Sequence, residues 1–371
     1  GLISYSLYLW HWGVLSISRW TIGIHWWSIP FQGALILGLA MASYEYIETP
    51  LRKGNWFGKR WKTIVIGGGV IVGLSGILIA LEKTLKSRLF YVGGGNYRFE
   101  QLMSRSRNFD KSDGAYNGNN CHFVNKDLEL SSSLKNCLIK SKKGRKTFFF
   151  VGNSHTDHHR TLHYKLHKEN GLGIFSISIS TCIFPADNNQ YKCNENSQSI
   201  IENWIFNKIK QGDVVVISNR HISNSDKNKL TSDRYNWLLD RTSIRAINKF
   251  SKLILSKGGK VVLFAPTPEY ELSIKICKTN WFRPFPSSDC TKTVEQVKQE
   301  KSKVYFLINK YLDKKIHIYD PIPDICFEGI CSMIDKKSKP LYVDENHLSD
   351  YANSEYLFPG FLSFLEKNKL L

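Results

Sequence analysis

The sequence predicts an α/β domain, with a parallel sheet covered by helices on both faces and membrane-spanning helices before it. Three observations carry that expectation. From Thr147 onward, short apolar runs alternate with helical stretches, the pattern of a parallel sheet with crossover helices. Before Glu82 the chain is rich in Trp, Ile, Leu and Gly and carries few charges. All eight cysteines lie beyond that boundary. The 371 residues suit more than one domain. The expected division is membrane helices over 1–82, a linker and extension over 83–145, and the α/β domain over 146–371.

In the first part, Leu2 to Ile17, Ile29 to Ile47 and Thr63 to Leu81 are candidate spans. The last is uncharged throughout and long enough for a hydrocarbon core of about 30 Å. Trp and Tyr at segment ends suit the bilayer interfaces. The alternative for these segments is buried helices of a soluble protein. Gly1 is not a start methionine and no basic stretch precedes the first apolar run, which argues for a chain cut from something longer. Arg52, Lys53, Lys59, Arg60 and Lys62 fall between the second and third spans, whereas the first loop has only Arg19. The positive-inside rule makes that basic loop cytoplasmic and places everything after about Glu82 outside.

The cysteines form close neighbours in sequence: Cys121 with Cys137, Cys182 with Cys193, Cys277 with Cys290, and Cys326 with Cys331. An even number confined to the exported part fits an oxidising compartment. Proximity suggests four short-range disulfides, the shortest fixing the approach to the end of the chain. No C-x-x-C pair occurs, so a structural zinc site is not expected. Lys83 to Lys146 is polar and irregular, a linker and extension pinned by the first bridge.

Candidate strands are Thr147–Val151, Gly173–Ile177, Asp213–Ile217, Lys260–Ala265 and Ile316–Tyr319. Helical stretches lie near Thr156–Lys168, Ser197–Lys210, Ser243–Lys257 and Val294–Leu312, with a last one after His347. In such folds the site sits at the carboxyl ends of the strands. The stretch TFFFVGNSHTDHH ends its first strand on Gly152 and Asn153 and places Ser154 where strand hands over to helix. A serine there is a helix N-cap or an exposed nucleophile beside backbone N–H donors. A nucleophile needs a base and the base an orienting group. VDENHLSD supplies Asp344 and His347, three residues apart, so one imidazole nitrogen can face the carboxylate and the other Ser154.

GNSHTDH with Asp344-x-x-His347-Leu-Ser resembles the first and last blocks of the SGNH (GDSL-like) esterase family. ISTCIFP followed by Cys193, then VVVIS, APTPEY and YDPIPDICFEGIC before DENHLS resemble the SGNH domain fused to membrane acyltransferases. ISYSLYLWHWGVL and YEYIETPLRK resemble the closing segments of the acyltransferase family 3 membrane domain. The resemblance implies a flavodoxin-like, three-layer α/β/α SGNH domain with a parallel sheet. It implies Ser154 as nucleophile, His347 as base and Asp344 as its orienter. The glycine of the family's second block and the Gly-x-Asn-Asp of its third have no clear match here. Asn219, or Arg220 by another route, then becomes the candidate oxyanion donor beside the Ser154 N–H, against a plain solvent-facing loop end. The function implied is an inner-membrane O-acyltransferase similar to bacterial O-antigen and polysaccharide O-acetyltransferases. Its partners would be the lipid bilayer, an envelope glycan acceptor and the rest of the membrane domain upstream. No tightly bound cofactor is implied, with acetyl-CoA or another acyl-CoA as the cytoplasmic donor.

Other classes fit less well. The net charge of +19 raises nucleic-acid binding, but the lysines are spread evenly and no recognition motif accompanies them. His155, His159, His163 and His167 recur every four residues, one face of a continuous helix. With no acidic or cysteine partner nearby, that face is expected to be structural or solvated, without metal. Trp10-His11-Trp12 reads as an interfacial aromatic cluster. The rival functions are an SGNH carbohydrate esterase, in which water replaces the sugar, and a non-catalytic membrane-anchored glycan-binding module.

Overall fold

The computed structural model describes residues 3–20, 24–54, 58, 60–85, 121–123, 134–142, 144–180, 182–185, 195–224, 235–237, 239–272, 274–277 and 290–371. The chain divides into two compact units. The N-terminal unit is helical: α1 (Ser4–Trp20), α2 (Ile29–Ser43), α3 (Thr49–Lys53) and α4 (Arg60–Leu85). A π-helical turn at Tyr44–Glu48 joins α2 to α3, so the backbone stays helical from Ile29 to Lys53. Ser6 donates to the Glu48 carboxylate at 2.8 Å and ties α1 to this turn. Among the described residues one helical segment, Ile64–Leu81, is both long and apolar enough to cross a bilayer, and none of it is buried in protein.

The second unit is built on a seven-stranded sheet. Its strands are β1 (His122–Phe123), β2 (Leu138–Ile139), β3 (Thr147–Gly152), β4 (Gly173–Ile179), β5 (Val214–Ser218), β6 (Lys260–Phe264) and β7 (His317–Tyr319). The spatial order is β1-β4-β3-β5-β6-β7, all parallel, with β2 antiparallel against the start of β4. The five principal strands therefore run 2-1-3-4-5, the flavodoxin-like order, whose switch point lies between β3 and β5. The two short strands on β4 come from the stretch read as extension, and the Cys121–Cys137 bridge links them.

Alternate side chains of each strand enter opposite layers, as a period of two requires. Phe148, Phe150, Val214, Val216 and Val262 pack one face, with Leu162 and Leu166 of α6 (Arg160–Asn170) and Phe361 and Leu365 of α11 (Phe358–Lys367). Phe149, Val151, Val215 and Ile217 pack the other. Against them lie α7 (Glu195–Lys208), α8 (Arg241–Ser256) and α10 (Ser302–Tyr311), through residues such as Ile205, Ile247 and Val304. Strands buried on both sides must be apolar without alternation, which is why they stand out in the sequence.

Two expected helices are each broken in two. The stretch after Ser154 forms a short turn, α5 (Ser154–Asp157), before α6 begins. The stretch from Val294 divides into α9 (Val294–Glu300) and α10 at Lys301, which is buried. A hairpin of Cys326–Phe327 and Ile330–Ser332 pairs with Thr291–Thr293. Its loop is Glu328-Gly329, both at positive φ, the two-residue turn that suits strand twist. The Cys326–Cys331 bridge joins the pair facing each other across this hairpin, and Cys277–Cys290 closes the third. Cys182 is disulfide-bonded, while Cys193 lies outside the described residues.

Gly152 ends β3 at a positive φ, where a Cβ would stand 1.9 Å from the Ser218 carbonyl oxygen of β5. No side chain fits there. Gly152→Ala is expected to destabilise the domain by about 3 kcal/mol, through overpacking and backbone strain together, and thermal melting measures it. Peptide mapping of non-reduced protein is expected to return the 121–137, 277–290 and 326–331 bridges.

Candidate active site

Ser154 occupies the first position of α5, directly after the switch-point strand. Asn153 precedes it in extended conformation, and its Oδ1 accepts the backbone N–H of both His155 and Arg220 at 3.0 Å. The Thr156 hydroxyl donates to the Ser218 carbonyl at 2.7 Å. These bonds hold the turn against the end of β5, and Gly152 makes that close approach possible. The backbone N–H of Ser154, in the first turn of a helix, has no intrahelical acceptor.

Asp344 and His347 sit on a tight loop rather than on a helix. Val343 donates its N–H to the His347 carbonyl at 2.9 Å, and Tyr342 and Leu348 form an isolated antiparallel bridge. Asp344 Oδ1 accepts the N–H groups of Asn346 and His347, while Oδ2 accepts from His347 Nδ1 at 2.7 Å. His347 Nε2 lies 2.9 Å from Ser154 Oγ. The structure thus brings Ser154, His347 and Asp344 into one hydrogen-bonded line, and the His347 and Asp344 side chains stay 15% and 36% exposed. Burial alone would push the Asp344 carboxyl up. The hydrogen bond and charge of His347, with the two N–H donors, outweigh it and hold the group at about 2. Asp344 therefore stays ionised and fixes a proton on Nδ1, leaving the Nε2 lone pair toward the serine.

A second polar chain, absent from the sequence reading, joins the turn at Ser154 to the loop that carries Asp344 and His347. Leu348 donates its N–H to His158 Nδ1 at 3.4 Å, so His158 carries its proton on Nε2. That proton points to His159 Nε2 at 2.9 Å, and His159 donates from Nδ1 to Asn353 Oδ1 at 2.8 Å. Asn353 completes the clamp by donating to the carbonyls of His158 and Ser349. His155 reaches Asn346 Oδ1 through Nε2 at 3.0 Å. The helix break at His158–His159 removes these histidines from the single face that their spacing suggested. His155, His159 and His163 are buried, so that face is structural and not solvated. Burial, reinforced by neighbouring positive groups, keeps them neutral: His159 falls to about 4, and His155 and His163 lie well below the ordinary value. The His163 ring packs tilted against Phe150, with centroids 3.8 Å apart.

Asn219 clasps the backbone of Phe184, donating to its carbonyl at 2.8 Å and accepting its N–H at 3.2 Å. Arg220 donates from Nε and Nη2 to Glu269, whose other oxygen takes the buried Lys301 at 3.0 Å. Burial pushes the Glu269 carboxyl up, but Lys301 and Arg220 together hold it below its usual value. The same loop anchors the base: Tyr270 donates its N–H to the Glu345 carbonyl, and Tyr342 donates its hydroxyl to that of Pro268. The motif APTPEY is thus the strut beneath Asp344 and His347. Sequence reading missed Glu269, Asn346 and Asn353, whose partners are distant in the chain, and the bond by which Asn153 takes the N–H of Arg220.

Two outcomes follow from this buried network. Asn353→Leu would remove the side-chain partner of His158 O and of His159 Nδ1–H, at about 1–3 kcal/mol each where water cannot enter, while Ser349 O keeps the backbone N–H of residue 353, so the domain is expected to melt well below the parent. The unfolded chain takes up protons near pH 6.5, whereas in the folded protein burial lowers His159 and His221 to about 4 and holds His155 and His163 well below their ordinary value. The unfolded state therefore binds more protons in that window. Stability present above pH 6.5 is lost as pH falls toward 4, which melting curves at stepped pH measure.

A family model described as "SGNH domain (fused to AT3 domains)" matches residues 120–361. The periplasmic domain of a lipopolysaccharide acetyltransferase from Salmonella ser. Paratyphi A is similar at 15% identity and a TM-score of 0.46, over 72% of this chain and 98% of that one. A putative acylhydrolase from Bacteroides fragilis is similar at 16% identity and a TM-score of 0.34, over 66% and 100%. A salicylyl-acyltransferase from a tetracycline biosynthetic pathway is similar at 14% identity and a TM-score of 0.32, over 62% and 57%. No curated protein matches the sequence significantly. The match of the family model over most of the chain, on a 2-1-3-4-5 parallel sheet with Ser154 at its switch point, makes this chain a member of the family of SGNH domains fused to AT3 domains.

Proposed function

We propose that this chain is the C-terminal part of a membrane-bound O-acyltransferase that acylates, and in particular acetylates, a cell-envelope polysaccharide outside the cytoplasm. The observation that carries the reading is the line from Ser154 Oγ to His347 Nε2 and from His347 Nδ1 to Asp344 Oδ2, at 2.9 and 2.7 Å. Ser154 attacks the acyl carbonyl while His347 takes its proton at Nε2 and Asp344 stabilises the resulting imidazolium. The Ser154 N–H faces the developing oxyanion, with the Asn219–Phe184 clasp and the Arg220–Glu269 pair shaping the surrounding wall. The donor leaves with the proton from His347, and Ser154 holds the acyl group as an ester. A sugar hydroxyl then repeats the attack, giving its proton to His347, and Ser154 leaves.

Acetyl-CoA or a related acyl-CoA is the donor proposed on the cytoplasmic side, and only its acyl group is carried outward by membrane helices to which α1–α4 belong. The uniformly exposed Ile64–Leu81 helix favours a bilayer, since such an apolar surface needs an apolar solvent. The basic residues from Arg52 to Lys62 favour the cytoplasm before α4, and the disulfides favour an oxidising space after it.

Acyl transfer to glycan is expected to fall by at least about 10³-fold in Ser154→Ala and His347→Ala, and less in Asp344→Asn. A serine-directed phosphonate should label Ser154 in the parent alone. Activity retained in a normally folded Ser154→Ala would refute the nucleophile, and release of free acid with no glycan product would favour the esterase reading. A reporter active only in the periplasm, fused after Leu371, is expected to function, whereas a cytoplasmic one is not.

A further inference from the structure

Arg220 follows the end of β5, and its backbone N–H shares Asn153 Oδ1 with that of His155, the residue after Ser154. Its side chain is fixed along one edge only. Nε and Nη2 both donate to Glu269 Oε2, at 3.1 and 2.7 Å. Nη1 has no partner among the described residues, so the end-on fork of Nη1 and the outer Nη2 hydrogen stays open. A planar fork of this kind takes two oxygens of a carboxylate or a phosphate in parallel bonds. The charges around it do not balance. Glu269 answers two cations, Arg220 and Lys301, the latter at 3.0 Å on its other oxygen. Glu300, next to Lys301 in the chain, is taken by Lys292 at 2.8 Å. One positive charge is left over, and of the three side chains that of Arg220 is the accessible one, 24% exposed against 9% for Glu269 and 3% for Lys301. Burial first, then the charges of His347 and Arg220, hold His155 low, so the Arg220 charge is felt beside Ser154.

We propose that the open fork of Arg220 is a subsite for an anionic group on the sugar that receives the acyl group, so that the acceptor is an acidic glycan bearing a carboxylate or a phosphate. The acceptor role rests on the acyl-transfer reading, whereas the binding itself does not. A guanidinium already clamped by a buried carboxylate loses little freedom when it takes a second anion, and that anion neutralises the charge left over in the cluster. An acid group bound there tethers its sugar next to the turn that carries Ser154, which raises the local concentration of the sugar hydroxyls at His347. The net charge of +19 favours the approach of any polyanion, but only a fixed fork selects the acid on one sugar. Arg220→Gln leaves Glu269 paired with Lys301 alone, one charge against one, so the variant is expected to fold.

Full-length Ser154→Ala, which cannot turn an acceptor over, is titrated in detergent by calorimetry at one moderate salt concentration. The probes are trigalacturonic acid, its uncharged methyl ester and a phosphorylated maltotriose. At least one acid probe is expected to bind saturably, the ester at least about tenfold more weakly than trigalacturonic acid or, if the phosphate is preferred, than the phosphorylated sugar. The tighter of the two acids identifies the anionic group. Adding Arg220→Gln should weaken that acid by at least about tenfold and bring it level with the ester, and Arg220→Lys, which keeps the charge without the fork, should fall between. Adding Lys252→Gln, an exposed position on α8, reports general attraction to the positive surface and should change nothing. In acyl transfer with Ser154 present, Arg220→Gln should raise KM for the acidic acceptor more than it lowers kcat. No saturable binding of either acid, equal affinity for acid and ester, or an Arg220→Gln loss no larger than that of Lys252→Gln overturns the subsite when all variants melt cooperatively. A kcat loss shared by acidic and neutral acceptors would make Arg220 an oxyanion donor instead, and also overturns it. Should Ser154 fail to take the phosphonate, the acyl-transfer reading falls while the titrations still decide whether Arg220 holds an anion.

Discussion

Everything at the active centre depends on holding two segments together that are almost two hundred residues apart in sequence. The turn after Ser154 and the loop from Asp344 to Asn353 meet through buried hydrogen bonds in which every member has one assigned role. Leu348 feeds His158, His158 feeds His159, and His159 feeds Asn353, which returns two protons to the carbonyls of His158 and Ser349. In a dry interior an unmade hydrogen bond is costly, so such a chain admits one register and few others. A shift of either segment by a fraction of a hydrogen-bond length would break several of its links. The 2.9 Å spacing between Ser154 and His347 is the product of that constraint.

The sheet supplies the other half of the positioning. Its order opens a gap between the ends of β3 and β5, and the lack of a side chain at Gly152 lets the turn at Ser154 press on Ser218. From the end of β6, the Glu269 loop reaches both sides of the centre, pairing with Arg220 beyond β5 and supporting Glu345 and Tyr342 in the base loop. Lys301 breaks the α9–α10 helix and buries its ammonium on the same carboxylate. One carboxylate and two cations in a desolvated site leave Glu269 firmly ionised. Its worth lies in geometry more than in net stability, since desolvating the charges offsets much of their attraction.

Histidine has two opposite uses within a few ångströms. His347 is partly exposed, with one ring nitrogen on the Asp344 carboxylate and the other facing Ser154 Oγ. His155 and His159 are buried beside it and held neutral, which makes them scaffold in the protein's working state. Environment alone separates the candidate base from its supports.

Local chemistry made much of this protein legible in its sequence. Strands buried on both faces are unbroken apolar runs, so all five principal strands fall within a residue or two of their expected limits. The cysteine neighbours and the Asp344–His347 pair are short-range, and the three bridges with described partners join the expected residues. Other features had no local signal. The break at His158–His159 is bonded to Asn353, the break at Lys301 is bonded to Glu269, and β1 and β2 exist only because β4 offers an edge. Asn219 and Arg220 showed the same limit, since their positions after β5 were readable but their partners, Phe184 and Glu269, were not. Periodicity and motif record what a residue does with its near neighbours in the chain. Which buried polar group meets which, across one hundred or two hundred residues, is decided only when the layers close and each donor must find an acceptor.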